Sequence, residues 1–140
     1  MTPRIVSGTL GAITALMGVA GLFSPERVLA FVGFAPLTPT EPAAAYAEAT
    51  AVYGGLFTVL GAFTLWGAID PAGKRSALLM AGLLWLGLCA GRCLSISMHG
   101  SGGLMTWVGV VWEAVFGTGL VWAALSRMPR GGTAANAGVE

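Results

Sequence analysis

Three residues stand out as able to do chemistry: Glu48, Arg92 and Glu113, each an ionisable side chain set within a long apolar run. An arginine near the centre of a lipid-embedded helix costs about 2.5–3.5 kcal/mol on insertion scales, so it needs a counter-charge or contact with water. Two carboxylates and one guanidinium can form a buried ion-pair cluster that fixes helix register. The same groups can instead line a polar pocket or proton-accessible site. There a protonated Glu48 or Glu113 would serve as general acid, and Arg92 would orient the other carboxylate. Both readings fit these residue types.

Helical spacing extends the constellation. Arg92, Ser95 and His99 fall at i, i+3 and i+7, which is one face of a helix. Gly55 lies seven residues after Glu48, and Thr106, Gly109 and Gly117 flank the face of Glu113. These small residues leave room for the long Arg92 side chain, for water or for a ligand. His99 itself sits at the end of an apolar run and reads as an interfacial residue. Cys89 and Cys93 are four apart in one run. A metal site needs further ligands nearby, and only His99 is close in sequence. The pair reads as small buried packing residues.

The elements that must position these groups are membrane spans. The chain has 140 residues, 56% hydrophobic and only 9% charged. A soluble domain carries about 25% charged residues, so this surface must face lipid. The formal net charge of +1 and the absence of a basic run argue against nucleic acid as a partner. Apolar runs at residues 5–23, 43–68, 76–98 and 104–125 are each long enough to span, since a helix needs roughly 20 residues for the hydrocarbon core. The first run is too long for the h-region of a signal peptide, so a retained helix is expected.

Between the first two runs, Ser24-Pro25-Glu26 reads as a helix start, with Ser24 as N-cap. It predicts a short interfacial helix over residues 25–32. Residues 33–42 carry three prolines and read as a loop. Asp70-Pro71-Ala72-Gly73 and residues 100–103 read as tight turns. The expectation is an all-α, up-down four-helix transmembrane bundle over residues 1–128. A disordered tail, rich in Gly and Ala, follows over residues 129–140.

Arg4, Lys74, Arg75, Arg127 and Arg130 lie on one side of this topology and Arg27 on the other. That bias predicts that both termini, and the loop between the second and third spans, lie on the cytoplasmic side. Trp66 and Trp122 near one face and Trp107 near the other suit interfacial belts, while Trp85 and Trp112 sit deeper as packing residues. At 1.5 Å per residue, Glu48, Arg92 and Glu113 lie roughly 8, 12 and 14 Å from the outer ends of their helices. All three therefore share the outer half. Small residues also form stripes: Ala43, Ala47, Ala51 and Gly55 on the second span, with Gly54 beside them, and Gly87 and Gly91 on the third. Such stripes let helices approach closely, within the bundle or across a dimer.

These residues resemble a bacterial family of small four-helix membrane proteins classed as a domain of unknown function. The resemblance covers roughly residues 5–125. It rests on Glu48 followed by Tyr53-Gly54-Gly55, on Gly91-Arg92 with Ser95, on Gly100 and on Glu113. The family often has a basic residue where Thr50 stands and an acidic one where His99 stands. The resemblance implies the topology and the polar constellation, with Tyr53, Ser95 and His99 as secondary polar positions. It implies no activity.

No Ser-His-Asp set, HExxH, phosphate loop, dinucleotide fingerprint or CxxCH is present. No catalytic residue, metal ligand or cofactor is assigned. The leading expectation is a non-enzymatic membrane protein that binds an accessory partner, a second copy or a small apolar ligand. The rivals are a membrane enzyme acting on a lipid or quinone-like substrate and a proton-coupled carrier centred on Glu113. Four helices are few for a carrier, and no inverted repeat is visible.

Overall fold

The computed structural model describes residues 2–32, 42–100 and 103–126, with helix backbone but not side chains described over residues 42–45. Most of the expected loop after the short helix, and the expected tail, lie outside the described residues. Within them the chain is all-α. Helix α1 (Pro3–Phe23) starts with proline in its first turn, where the missing N–H costs nothing. Ser24 breaks it, and α2 (Pro25–Phe31) begins at once. Ser24 makes no side-chain cap; its carbonyl accepts the Arg27 and Val28 amides at 3.1 and 3.2 Å. No residue of α2 is buried, and Phe23 and Phe31 are exposed, as suits a short helix lying along an apolar surface.

The second span is one continuous helical rod that changes pitch. It runs as α3 (Pro42–Ala49), a π-helical segment (Thr50–Leu56) and α4 (Phe57–Ile69). Glycine is among the weakest helix formers, and Gly54-Gly55 falls inside the π segment. The turn after α4 is built by Asp70, whose Oδ1 accepts the Gly73 amide at 3.0 Å and whose carbonyl accepts the Lys74 amide at 2.8 Å. Lys74 places its ammonium 4.6 Å from the Trp66 ring centre. Helix α5 (Arg75–His99) returns, and Gly100 and Gly103, both at positive φ, help α6 (Leu104–Leu125) to start. Among the described residues, four helical stretches are long and apolar enough to cross a membrane.

The closest seam joins α1 to α4. Its α1 face is Ser7, Gly11, Thr14 and Gly18, and Gly21 continues it against Tyr53 and Gly54 of the π segment; all five are buried and small. A Cβ at Gly11 would stand 2.9 Å from the Leu65 nitrogen, one at Gly18 would strike the Thr58 backbone, and one at Gly61 the Ala15 backbone. Buried hydroxyls in the seam bond within their own helices: Ser7 to the Pro3 carbonyl, Thr14 to Leu10 and Thr64 to Leu60, each at 2.8 Å. They pack as small groups and leave no polar atom to lipid.

Helices α5 and α6 cross where Gly82 meets Gly117, each Cβ position lying 3.0 Å from the other residue's carbonyl oxygen. The buried residues of α5 stop at Trp85, and those of α6 begin at Glu113. The core of Phe57, Leu60, Leu78, Ala81, Trp85, Phe116 and Leu120 therefore lies toward the Asp70 turn. Away from that turn, α5 beyond Trp85 and α6 before Glu113 hold no buried residue.

Two expectations for the glycines need correction. Gly87 and Gly91 are exposed, and a Cβ on either would meet nothing within 4 Å. Among the described residues of the chain they pack against no other helix; Gly82 does. On the second span Gly54 does pack, its Cβ position lying 2.9 Å from the Leu22 nitrogen, whereas Gly55 has only the Thr50 carbonyl at 3.9 Å.

Candidate functional site

Arg92 on α5 and Glu113 on α6 form an ion pair. Nη2 donates to Oε1 at 2.6 Å, and Nε reaches Oε1 at 3.1 Å and Oε2 at 3.0 Å. The antiparallel return through the Gly100–Gly103 turn brings the two to one depth. Glu113 is 5% exposed, whereas Arg92 keeps 34% of its side chain open. The guanidinium lies across Gly109, one helical turn before Glu113: a Cβ there would stand 2.9 Å from Nε and 3.0 Å from Cζ. Gly109 therefore provides the bed on which Arg92 lies. Cys89, one turn before Arg92, donates its thiol to the Val110 carbonyl at 3.6 Å, a weak second tie between the helices.

Glu48 does not join them. It is exposed on α3, and among the described residues no ion pair links it to Arg92. Depth counted from a helix end does not fix which face Glu48 takes. The wider turn of the π segment changes the rotation between Glu48 and Gly55, so a shared face no longer follows from a seven-residue spacing. Ser95 is exposed and lines an open cleft beside Arg92, while His99 is exposed at the end of α5. Cys93 is exposed too, not buried, and Cys89 is half-buried. No group of three potential metal ligands occurs among the described residues.

Below the ion pair runs a chain of aromatic rings. Tyr53 meets Phe57 at 5.7 Å between centres, Phe57 meets Trp85 at 5.1 Å, Trp85 meets Phe116 at 5.1 Å, and Phe116 stacks on Trp112 at 4.4 Å. This chain joins the π segment, α4, α5 and α6. Four of its rings, Tyr53, Phe57, Trp85 and Trp112, line a cavity of about 390 Å³ whose other walls include Ile13 and Met17 of α1, Val28 and Phe31 of α2, and Arg92 with Glu113. On the other side of the ion pair lies a more open cleft of about 850 Å³ between Leu56 and Leu60 on one flank and Leu84, Gly87, Gly91 and Ser95 on the other. Arg92 and Glu113 border both spaces.

Two buried polar atoms in this region have no hydrogen-bond partner: the indole nitrogens of Trp85 and Trp112. Both residues line the smaller cavity. The sequence reading treats both tryptophans as packing residues and gives no sign of these free donors. It also gives no sign of the five-ring chain, because its members come from four separate helical segments.

Fold and site together define a small multi-pass membrane protein with an ion pair held between two of its spans. The chain belongs to the family described as "Domain of unknown function (DUF4345)", which matches residues 3–124. Comparison with curated proteins and with solved structures finds no match.

Proposed function

We propose that this protein is a non-catalytic binding protein of a bacterial inner membrane, with both termini cytoplasmic, that holds a small apolar molecule in the cavity beside Arg92 and Glu113. The observation that carries the reading is the cavity itself. Its volume of about 390 Å³ falls in the roughly 300–1,000 Å³ range of small-molecule sites. Aliphatic and aromatic side chains make most of its wall, and a few polar groups converge on it, the pattern that fixes a ligand's orientation. The ion pair is already formed between Arg92 and Glu113, so neither group stands free as a general acid or base. That favours binding over catalysis.

Purification in mild detergent followed by native mass spectrometry tests the reading. The wild-type chain should carry a bound small molecule, and Met17→Trp, which fills the cavity from α1, should carry less of it. A folded wild-type chain that retains nothing, and takes up no apolar probe when offered one, would sink the proposal. Orientation is read separately in a background without Cys89 and Cys93. Leu104→Cys should react with an impermeant thiol reagent in intact cells, and Ala72→Cys only after the membrane is opened; the reverse pattern would overturn the orientation.

A further inference from the structure

We infer that the open cleft beside Arg92 is a second site, which holds one glycerophospholipid with its phosphate and ester groups between Gly100 and Arg92 and an acyl chain running down to Leu83. The inference does not depend on what fills the smaller cavity. It starts from a division of polarity along the cleft. Toward Gly100 the wall carries Arg92, Ser95, Thr106 and Glu113, with Ile96 and Val32 as apolar members. From Leu83 to Gly91 the α5 wall is leucine and glycine alone, and Leu56 and Leu60 form the other flank. Nine residues separate Leu83 from Arg92, about 14 Å at 1.5 Å per residue. That is close to half of the roughly 30 Å hydrocarbon core. The cleft is therefore polar where it nears the membrane surface and apolar over the depth of one leaflet's hydrocarbon.

A bare hydrocarbon would not satisfy the polar end. Elsewhere in the spans hydroxyls bond to their own helix: Ser7, Thr14, Thr58 and Thr64 each donate to a carbonyl four residues back at 2.8 Å. Ser95 is exposed on the cleft, and among the described residues its hydroxyl has no partner. Arg92 keeps about a third of its side chain open despite its bond to Glu113. Polar groups within a membrane lower their cost by finding a polar partner. Both of these groups donate, and they match phosphate and ester oxygens, which accept. Below Arg92 the wall has no polar side chain, so what continues downward must be a hydrocarbon chain. A lipid of the leaflet at the Gly100 end already has this order, with its head at the surface and its chains toward the centre. It can enter sideways without turning over, because α5 beyond Trp85 has no buried residue to bar the way. Gly87 and Gly91, whose Cβ positions meet nothing within 4 Å, let the chain lie against the α5 backbone.

The test uses the full-length chain, stripped of lipid in detergent and titrated with dioleoylphosphatidylglycerol or hexadecane. Binding is read by native mass spectrometry. Wild type should take up one phospholipid saturably and hold it more tightly than hexadecane. Gly87→Trp sets a ring in the apolar stretch and should weaken phospholipid binding by about tenfold or more. If it does not purify, Leu84→Trp, at an exposed position, blocks the same stretch. Ser95→Ala should cost about tenfold, the lower end for a hydrogen bond to a charged group. Met17→Trp, which fills the smaller cavity, should leave phospholipid affinity unchanged. Hexadecane binding as tightly as the phospholipid, or Ser95→Ala keeping wild-type affinity, would overturn the inference at its polar end. Phospholipid lost from Met17→Trp but not from Gly87→Trp would overturn it by placing the lipid in the smaller cavity. No saturable phospholipid binding would overturn it too, and would leave the smaller cavity to its own test.

Discussion

A methyl group added at Gly18 would strike the Thr58 backbone, whereas one added at Gly91 would meet nothing within 4 Å. Both glycines lie inside membrane-length helices. The α1–α4 seam uses small residues to bring two backbones together, and there the driving force is close packing, because lipid supplies no hydrophobic push between helices. The half of α5 beyond Trp85 has no buried residue, and its glycines border an open cleft. The same residue type thus closes one region and opens the other. The ion pair sits where the two regimes meet, with Glu113 at the edge of the core and Arg92 partly open.

The sharpest way to break this comparison is at the seam. Gly18→Leu should destabilise the protein by about 3 kcal/mol, the upper end for overpacking, because the Thr58 backbone cannot move aside as a side chain can. A thermal midpoint in detergent that stays at the wild-type value would mean that α1 and α4 do not touch at Gly18.

The next effect concerns the pair. Losing one partner of a buried ion pair costs about 3–5 kcal/mol. Arg92 is a third open, so Arg92→Ala should cost less, about 2 kcal/mol. The double variant Arg92→Met with Glu113→Met should be more stable than Arg92→Ala alone, since it leaves no unpaired carboxylate. Glu48→Gln should change stability by less than about 0.5 kcal/mol, as for other exposed sites. A Glu48→Gln loss matching that of Arg92→Ala would restore the three-residue cluster.

Gly109→Ala probes how the pair is held. Displacing the guanidinium weakens charge-assisted hydrogen bonds worth about 1.5–3 kcal/mol. Replacing glycine by alanine in a helix returns up to about 1 kcal/mol. The net expectation is a loss of about 1 kcal/mol. In an Arg92→Met background nothing charged lies over Gly109, so the same change should become neutral or stabilising. A double-mutant cycle with no coupling would show that Gly109 does not seat Arg92.

Much of this was legible in the sequence, and the reason is length. Four apolar runs of spanning length fix the helices almost to the residue, and depth along α5 and α6 alone brings Arg92 to Glu113. Depth did not place Glu48, because depth fixes a level and not a face, and the π segment after Glu48 shifts the faces of the rod. Its clue was local: Gly54-Gly55 within an apolar run weakens the α-helix where the π segment forms. The glycine faces were not legible. In a water-soluble helix the polar face marks the exposed side, but here both sides are apolar, so periodicity loses its meaning. With 22 glycines in the chain, stripes arise on several faces. The stripe on α1, from Ser7 to Gly21, is the one that packs most closely, and it lies in the span where none was singled out.

The smallest expected effect is also the one that most sharpens the comparison. Gly91→Leu should change the thermal midpoint by the equivalent of less than about 0.5 kcal/mol, because a leucine there displaces no protein atom and replaces a poor helix former with a good one. The GxxxG spacing with Gly87 argues the opposite, since that motif brings helices into contact. A partner helix outside the monomer would reconcile the two. The distinction lies in concentration. If Gly91 faces only lipid, Gly91→Leu and wild type should melt alike at any protein-to-detergent ratio. If a second copy covers Gly87 and Gly91, wild type should gain stability as the ratio rises and Gly91→Leu should lose that gain, because mass action stabilises only the chain that can associate. Equal, ratio-independent midpoints are expected, and they would assign this glycine pair to the wall of the open cleft.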